Sequence, residues 1–153
     1  MPDITPFLWF NTEAEEAARF YVSLFPHSKI TRIVERTEAV PVRGGKVLTV
    51  SFELGDKPFT ALNGGPHHKF TEAVSFVVHC KTQDEIDRYW NALVDGGMPG
   101  QCGWLKDRFG LSWQIVPEML PELMSGPAAD RVIAAILPMS KLDIETLRIA
   151  AVS

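Results

Sequence analysis

Gln114 lies in the apolar stretch Ser112-Trp113-Gln114-Ile115-Val116, where a carboxamide can orient a small molecule. Its amide carries both donors and an acceptor, and a polar group set singly on an apolar wall fixes the pose of a guest. The same amide can equally satisfy a neighbouring backbone group. His79 ends another apolar run, and an imidazole that titrates near neutrality is suited to moving a proton. The alternative there is a structural histidine. Cys102, beside Gly103-Trp104 and near Lys106, is a candidate activated thiol, since nearby cations stabilise thiolate. A buried, inert cysteine is the other reading. Trp104 can stack on an aromatic ligand or simply fill the core. Asn63 precedes Gly64-Gly65 and is read first as a turn residue. His67-His68 are adjacent in a polar loop and point apart, which disfavours a shared metal. Asp56 and Asp107 read as turn residues.

These side chains need strands and helices to place them. A strand is expected from about Thr5 to Asn11, with Asn11 or Thr12 capping a helix over Glu13 to Phe25. In that helix Ala14, Ala17, Ala18, Tyr21, Leu24 and Phe25 form one stripe. Pro26 ends it. A β-branched run, Lys29 to Thr37, precedes a turn at Gly44-Gly45, and Val47 to Leu54 alternates as a half-buried strand. Gly55-Asp56-Lys57-Pro58 then turns the chain into Phe59 to Asn63. After the join Asn63-Gly64-Gly65-Pro66-His67-His68-Lys69, a strand is expected over Ala73 to Cys80 and a helix over Thr82 to Val94. Ile86, Tyr89, Trp90, Leu93 and Val94 give that helix its stripe. Strands around Gln101 to Lys106 and Leu111 to Val116 flank Asp107-Arg108-Phe109-Gly110. The tail Glu118 to Ser153 is expected to form added helices, broken at Pro127 and Pro138.

The two halves repeat. Sliding residues 6–25 onto 75–94, an offset of 69, pairs Phe7 with Phe76, Glu16 with Glu85, Arg19 with Arg88 and Leu24 with Leu93. Such a duplication predicts two halves that share one curved mixed sheet, an α+β fold, with the first half at 4–65, the second at 72–117 and a helical extension at 118–153. Because side chains alternate across a strand, the two faces can be separated by parity. The offset sets Phe7, Trp9, Phe76 and Val78 against the helices, together with Trp113 and Ile115. Leu8, Phe10, Ser75, Val77, His79, Ser112 and Gln114 then face the concave side. The expected ligand-binding set is Leu8, Phe10, Asn63, Ser75, Val77, Trp104, Ser112 and Gln114, with His79 and Cys102 as catalytic candidates.

Composition bounds the function. A chain of 153 residues, 46% apolar, is one domain with enough apolar content for a core. Its 15 basic and 19 acidic residues give a net charge of −4, and the basic ones are scattered. No nucleic-acid or anionic-membrane partner is expected from that pattern. Met1-Pro2-Asp3-Ile4-Thr5 carries no signal-peptide pattern, so a cytoplasmic location is expected. Cys80 and Cys102 match no zinc spacing and read as reduced thiols.

Four segments together resemble a known family: Pro6-Phe7-Leu8-Trp9-Phe10-Asn11, Glu15-Glu16-Ala17-Ala18-Arg19-Phe20-Tyr21, Leu62-Asn63-Gly64-Gly65, and Asp107-Arg108-Phe109-Gly110-Leu111-Ser112-Trp113-Gln114-Ile115-Val116-Pro117. The pattern is similar to the PhnB-like branch of the vicinal-oxygen-chelate superfamily, which includes glyoxalase I, bleomycin-resistance proteins and extradiol dioxygenases. Its members are often labelled 3-demethylubiquinone-9 3-methyltransferase-like. The resemblance implies paired βαβββ modules, a homodimer and a small-molecule ligand, apolar or aromatic. Metal-binding members place His, Glu or Gln on the first and last strands of each module. Here those positions fall near Pro6, on Ala73 or Ser75, near Leu62-Asn63 and on Gln114. No tightly held catalytic metal is expected from that set, at most a weakly held divalent ion. The alternatives are a metal-dependent lyase, isomerase or dioxygenase, or the methyl transfer of the family label. No G-x-G-x-x-G loop of the kind doubly wound methyl-transfer folds use is present.

Overall fold

The computed structural model describes residues 1–38 and 45–153, in two compact units, Met1–Phe70 and Thr71–Ser153. Of the expected Gly44-Gly45 turn, Gly44 lies outside the described residues, and Gly45 has φ +92°.

The first unit runs β1 (Phe7–Phe10), α1 (Ala14–Leu24), β2 (Lys29–Glu35), β3 (Val47–Leu54) and β4 (Lys57–Asn63). Its sheet has the order β1-β4-β3-β2, with β1 parallel to β4 and the other pairs antiparallel. Ala14, Ala17, Ala18 and Tyr21 are the buried stripe of α1, and Tyr21 packs on Phe52 of β3 with ring centroids 6.3 Å apart. That stripe is small because alanines let the helix lie close to the sheet. Neither Asn11 nor Thr12 caps α1. The carboxamide oxygen of Asn63, at the end of β4, accepts the Ala14 N–H at 2.8 Å and takes over that task.

The second unit repeats the plan: β5 (Ser75–Cys80), α2 (Gln83–Val94), β6 (Met98–Pro99), β7 (Trp104–Lys106) and β8 (Ser112–Pro117), in the order β5-β8-β7-β6 with β5 parallel to β8. Ile86, Tyr89, Trp90 and Leu93 face its sheet. Thr82 caps α2 by accepting the Glu85 N–H, and the Glu85 carboxylate accepts the Lys81 N–H, a reciprocal cap. The β7–β8 turn is held by one carboxylate. Asp107 accepts from the N–H of Phe109 and Leu111 and, at 2.9 Å, from the indole N–H of Trp113.

The expected helical extension forms α3 (Leu120–Ser125), α4 (Ala129–Ile136) and α5 (Ile144–Val152). Val132, Ile136, Leu142 and Leu147 close around Val116, with Cys102 packed at the edge. Backbone bonds from Cys102 N–H to Met139 and from Gly103 N–H to Ser140 fasten the connection between α4 and α5 to the loop before β7. Gln83, at the start of α2, accepts the Ile144 N–H and donates to the Leu142 carbonyl. The extension therefore wraps the end of the second sheet where β5 and β8 finish. Among the described residues no helix is long and apolar enough to cross a membrane.

Candidate functional site

Parity places the two halves differently. In the first unit, Leu8 and Phe10 lie beside Ala61 and Asn63, and Ala61 lies beside Val50, on the face that Phe52 and Tyr21 define as the helix side. Leu8 and Phe10 are buried, while Phe7 is 59% exposed. The expectation that Leu8 and Phe10 face away from the helix is corrected: Phe7 and Trp9 take the face opposite α1 instead. The cause is one residue. Three residues separate β1 from α1, whereas two separate β5 from α2. The helices repeat at 69, the strands at 70, and a slip of one exchanges the faces of a strand. Asn63 sits on the helix side as well, with its Nδ2 donating to the Val47 carbonyl at 3.1 Å, so both ends of its amide serve the fold.

In the second unit, parity holds. Register aligns Lys106, Ser112 and Ser75 in one row across β7, β8 and β5, and Trp104, Gln114 and Val77 in the next. All six side chains share the face opposite α2, since Phe76 and Trp113 pack edge to face on the other side. Gln114 donates to the Ser75 hydroxyl at 3.0 Å, which holds its amide in the plane of the two rows. His79 is exposed at the far end of β5, beside Val116. The structure thus brings together Ser75, Val77, Trp104, Ser112 and Gln114.

A cleft of about 250 Å³ opens at one end of this face, lined by Met98, Pro99, Trp104, Lys106, Ser112 and Glu72 among others. Ser112 is 1% exposed, and its Oγ has no hydrogen-bond partner among the described residues. Lys106 pairs with Glu72, and the hydrogen bond from its ammonium holds the Glu72 carboxyl below the usual carboxylate range. Lys106, Glu72, Met98 and Pro99 were not singled out as ligand contacts from the sequence. Lys106 was legible, since it stands two residues from Trp104 and shares its face. Glu72 and β6 approach through tertiary structure that no local pattern announces.

Cys102 is turned toward the α4–α5 cluster. Its backbone sits in the left-handed region at φ +60°. Cys80 is buried on the helix side, and burial, with the charge of Glu85, pushes its thiol up to about 11. Among the described residues no group of three or more His, Cys, Asp and Glu is placed to hold a metal ion. Of the donors at the positions that the resemblance would make metal ligands, Asn63 is spent on the fold and Gln114 is a neutral amide whose nitrogen donates to Ser75.

Two successive βαβββ modules, each with a helix on one face of its sheet, define a protein of the vicinal-oxygen-chelate fold. The chain belongs to the family described as 3-demethylubiquinone-9 3-methyltransferase, whose model matches residues 2–116. The PhnB protein of Bacillus cereus is 37% identical, over 75% of this chain and 99% of its own, with a TM-score of 0.67. A Pseudomonas aeruginosa protein shares the fold at 20% identity and a TM-score of 0.65, covering 76% of this chain and 98% of its own. The fosfomycin resistance protein FosX of Mesorhizobium loti shares it at 13% identity and 0.55, covering 82% and 98%. No curated protein matches the sequence.

Proposed function

We propose that this is a cytoplasmic, homodimeric protein that binds a small apolar or aromatic molecule on the open face of its second sheet, with no tightly held metal. The observation that carries the reading is the pair of rows across β7, β8 and β5, where an oriented amide and a buried hydroxyl with no partner among the described residues stand beside Trp104 and Val77. That is the composition of a binding wall: apolar area for affinity and a few fixed polar groups for pose. Val77 is 42% exposed and Met98 67% exposed, apolar area that a guest would cover. Ser75, Val77, Trp104, Ser112 and Gln114 are the contact residues of this reading. Leu8, Phe10 and Asn63 do not share that face.

The test is a thermal-shift screen of apolar and aromatic compounds, followed by titration of tryptophan fluorescence in the parent and in Gln114→Ala. Compounds that stabilise the parent should bind Gln114→Ala about tenfold more weakly, as expected for losing one hydrogen bond in a dry wall. Stoichiometric divalent metal in protein purified without chelator, lost in Gln114→Ala, would overturn the metal-free reading in favour of metal-dependent chemistry. A single species at monomer mass in light scattering would remove the homodimer.

A further inference from the structure

Ser112 and Lys106 stand directly opposite each other on β8 and β7, and both line the cleft. The hydroxyl of Ser112 is sealed from solvent with nothing to bond to among the described residues, a condition that folded proteins avoid unless something else completes it. Lys106 has three N–H donors, and Glu72 supplies the carboxylate that meets them. Glu72 is not part of the sheet. It precedes β5 by three residues and its side chain is 62% exposed, so it can leave Lys106 without disturbing a strand. An ion pair this exposed contributes little, so giving it up costs little. The remaining walls, Trp104, Met98 and Pro99 among them, are apolar, with one aromatic plane.

We infer that the ligand is a flat aromatic carboxylate, whose acid group replaces Glu72 on Lys106 and accepts a hydrogen bond from the Ser112 hydroxyl. This inference rests on the binding reading given above and names its ligand class. Glu72 is an internal stand-in: it keeps the ammonium paired while the cleft is empty. Exchange of one carboxylate for another leaves the charge on Lys106 balanced. The gain comes from satisfying Ser112 and from covering Trp104 and Met98. A neutral amide of the same shape meets the ammonium without a charge and leaves Glu72 as a competitor it cannot displace.

Calorimetric titration of the full chain with 2-naphthoate and 2-naphthamide, at neutral pH and low salt, tests this. The acid is expected to bind more tightly than the amide. Glu72→Gln should tighten the acid about fivefold, the equivalent of removing one exposed ion pair as competitor, and tighten the amide by less. Lys106→Gln and Ser112→Ala should each erase most of the preference for the acid. If Lys106→Gln or Ser112→Ala lowers the melting temperature sharply, the exposed Glu72→Gln still decides the matter. Equal binding of acid and amide, with Glu72→Gln indifferent, would overturn the carboxylate inference and leave the binding reading standing. Failure of both probes, together with failure of every aromatic compound in the thermal-shift screen, would overturn both.

Discussion

Asn63 and Gln114 are both carboxamides on the last strand of a module, and they do different work. Gln114 faces the open side, where one bond to Ser75 leaves its carbonyl oxygen available to a guest. Asn63 faces the helix, where its oxygen completes the start of α1 and its nitrogen reaches the Val47 carbonyl. Sequence patterning shows Gln114, because Trp113 and Ile115 frame it by alternation. It cannot show that Asn63 bonds Ala14, a partner 49 residues away. Asn63→Ala removes the partner of the buried Ala14 N–H and of the half-buried Val47 C=O. It should destabilise the protein by about 1–3 kcal/mol in urea unfolding, with little change in the affinity of any ligand on the second sheet. An unchanged urea midpoint would show that water replaces the amide.

Elements repeat more faithfully than the segments between them. The duplication is written into the helices, where aromatic and charged residues align at 69, and the existence of nearly every strand can be read from alternation. β6, two residues long, leaves no such signature. The face each strand presents depends on linker length, and three residues against two are enough to invert it. The same substitution at the two edge strands separates the faces experimentally. Leu8→Asp buries a carboxylate under α1 at a position only 6% exposed and should leave the chain unfolded or reduced in stability by several kcal/mol. Val77→Asp, on a position 42% exposed, should fold with a stability within about 0.5 kcal/mol of the parent. It should lose binding of apolar compounds. Circular dichroism with urea titration measures the first contrast and fluorescence titration the second. Tolerance of Leu8→Asp would return Leu8 to the open face.

At the scale of the whole molecule, pH acts through Glu72, Asp87 and Cys80 among the described residues. Glu72 and Asp87 have carboxyls held below their ordinary values, Glu72 by its bond from Lys106 and Asp87 first by Gln83 and then by Lys141. A depressed carboxyl stabilises the fold above its unfolded value and loses that contribution as pH falls through the folded one. Both are exposed, so the acid limb they produce is shallow. Cys80 acts at the other end. Its thiol is pushed up to about 11, first by burial, from an ordinary value of 9.0. The unfolded chain therefore releases its proton first as pH rises, so between those values it binds fewer protons than the native state. By linkage the stability of the native state declines across that interval, and levels off above it. A variant that lacks the thiol isolates its contribution. Cys80→Ala is expected to start less stable than the parent at pH 8, because a buried atom is lost, and then to close the gap as pH is raised toward 11. Urea midpoints of the two proteins measured in parallel at half-unit steps give the difference directly. A gap that stays constant with pH would mean that the Cys80 thiol is not buried in solution, and with it that β5 does not seat its end under α2 and the wrapping extension.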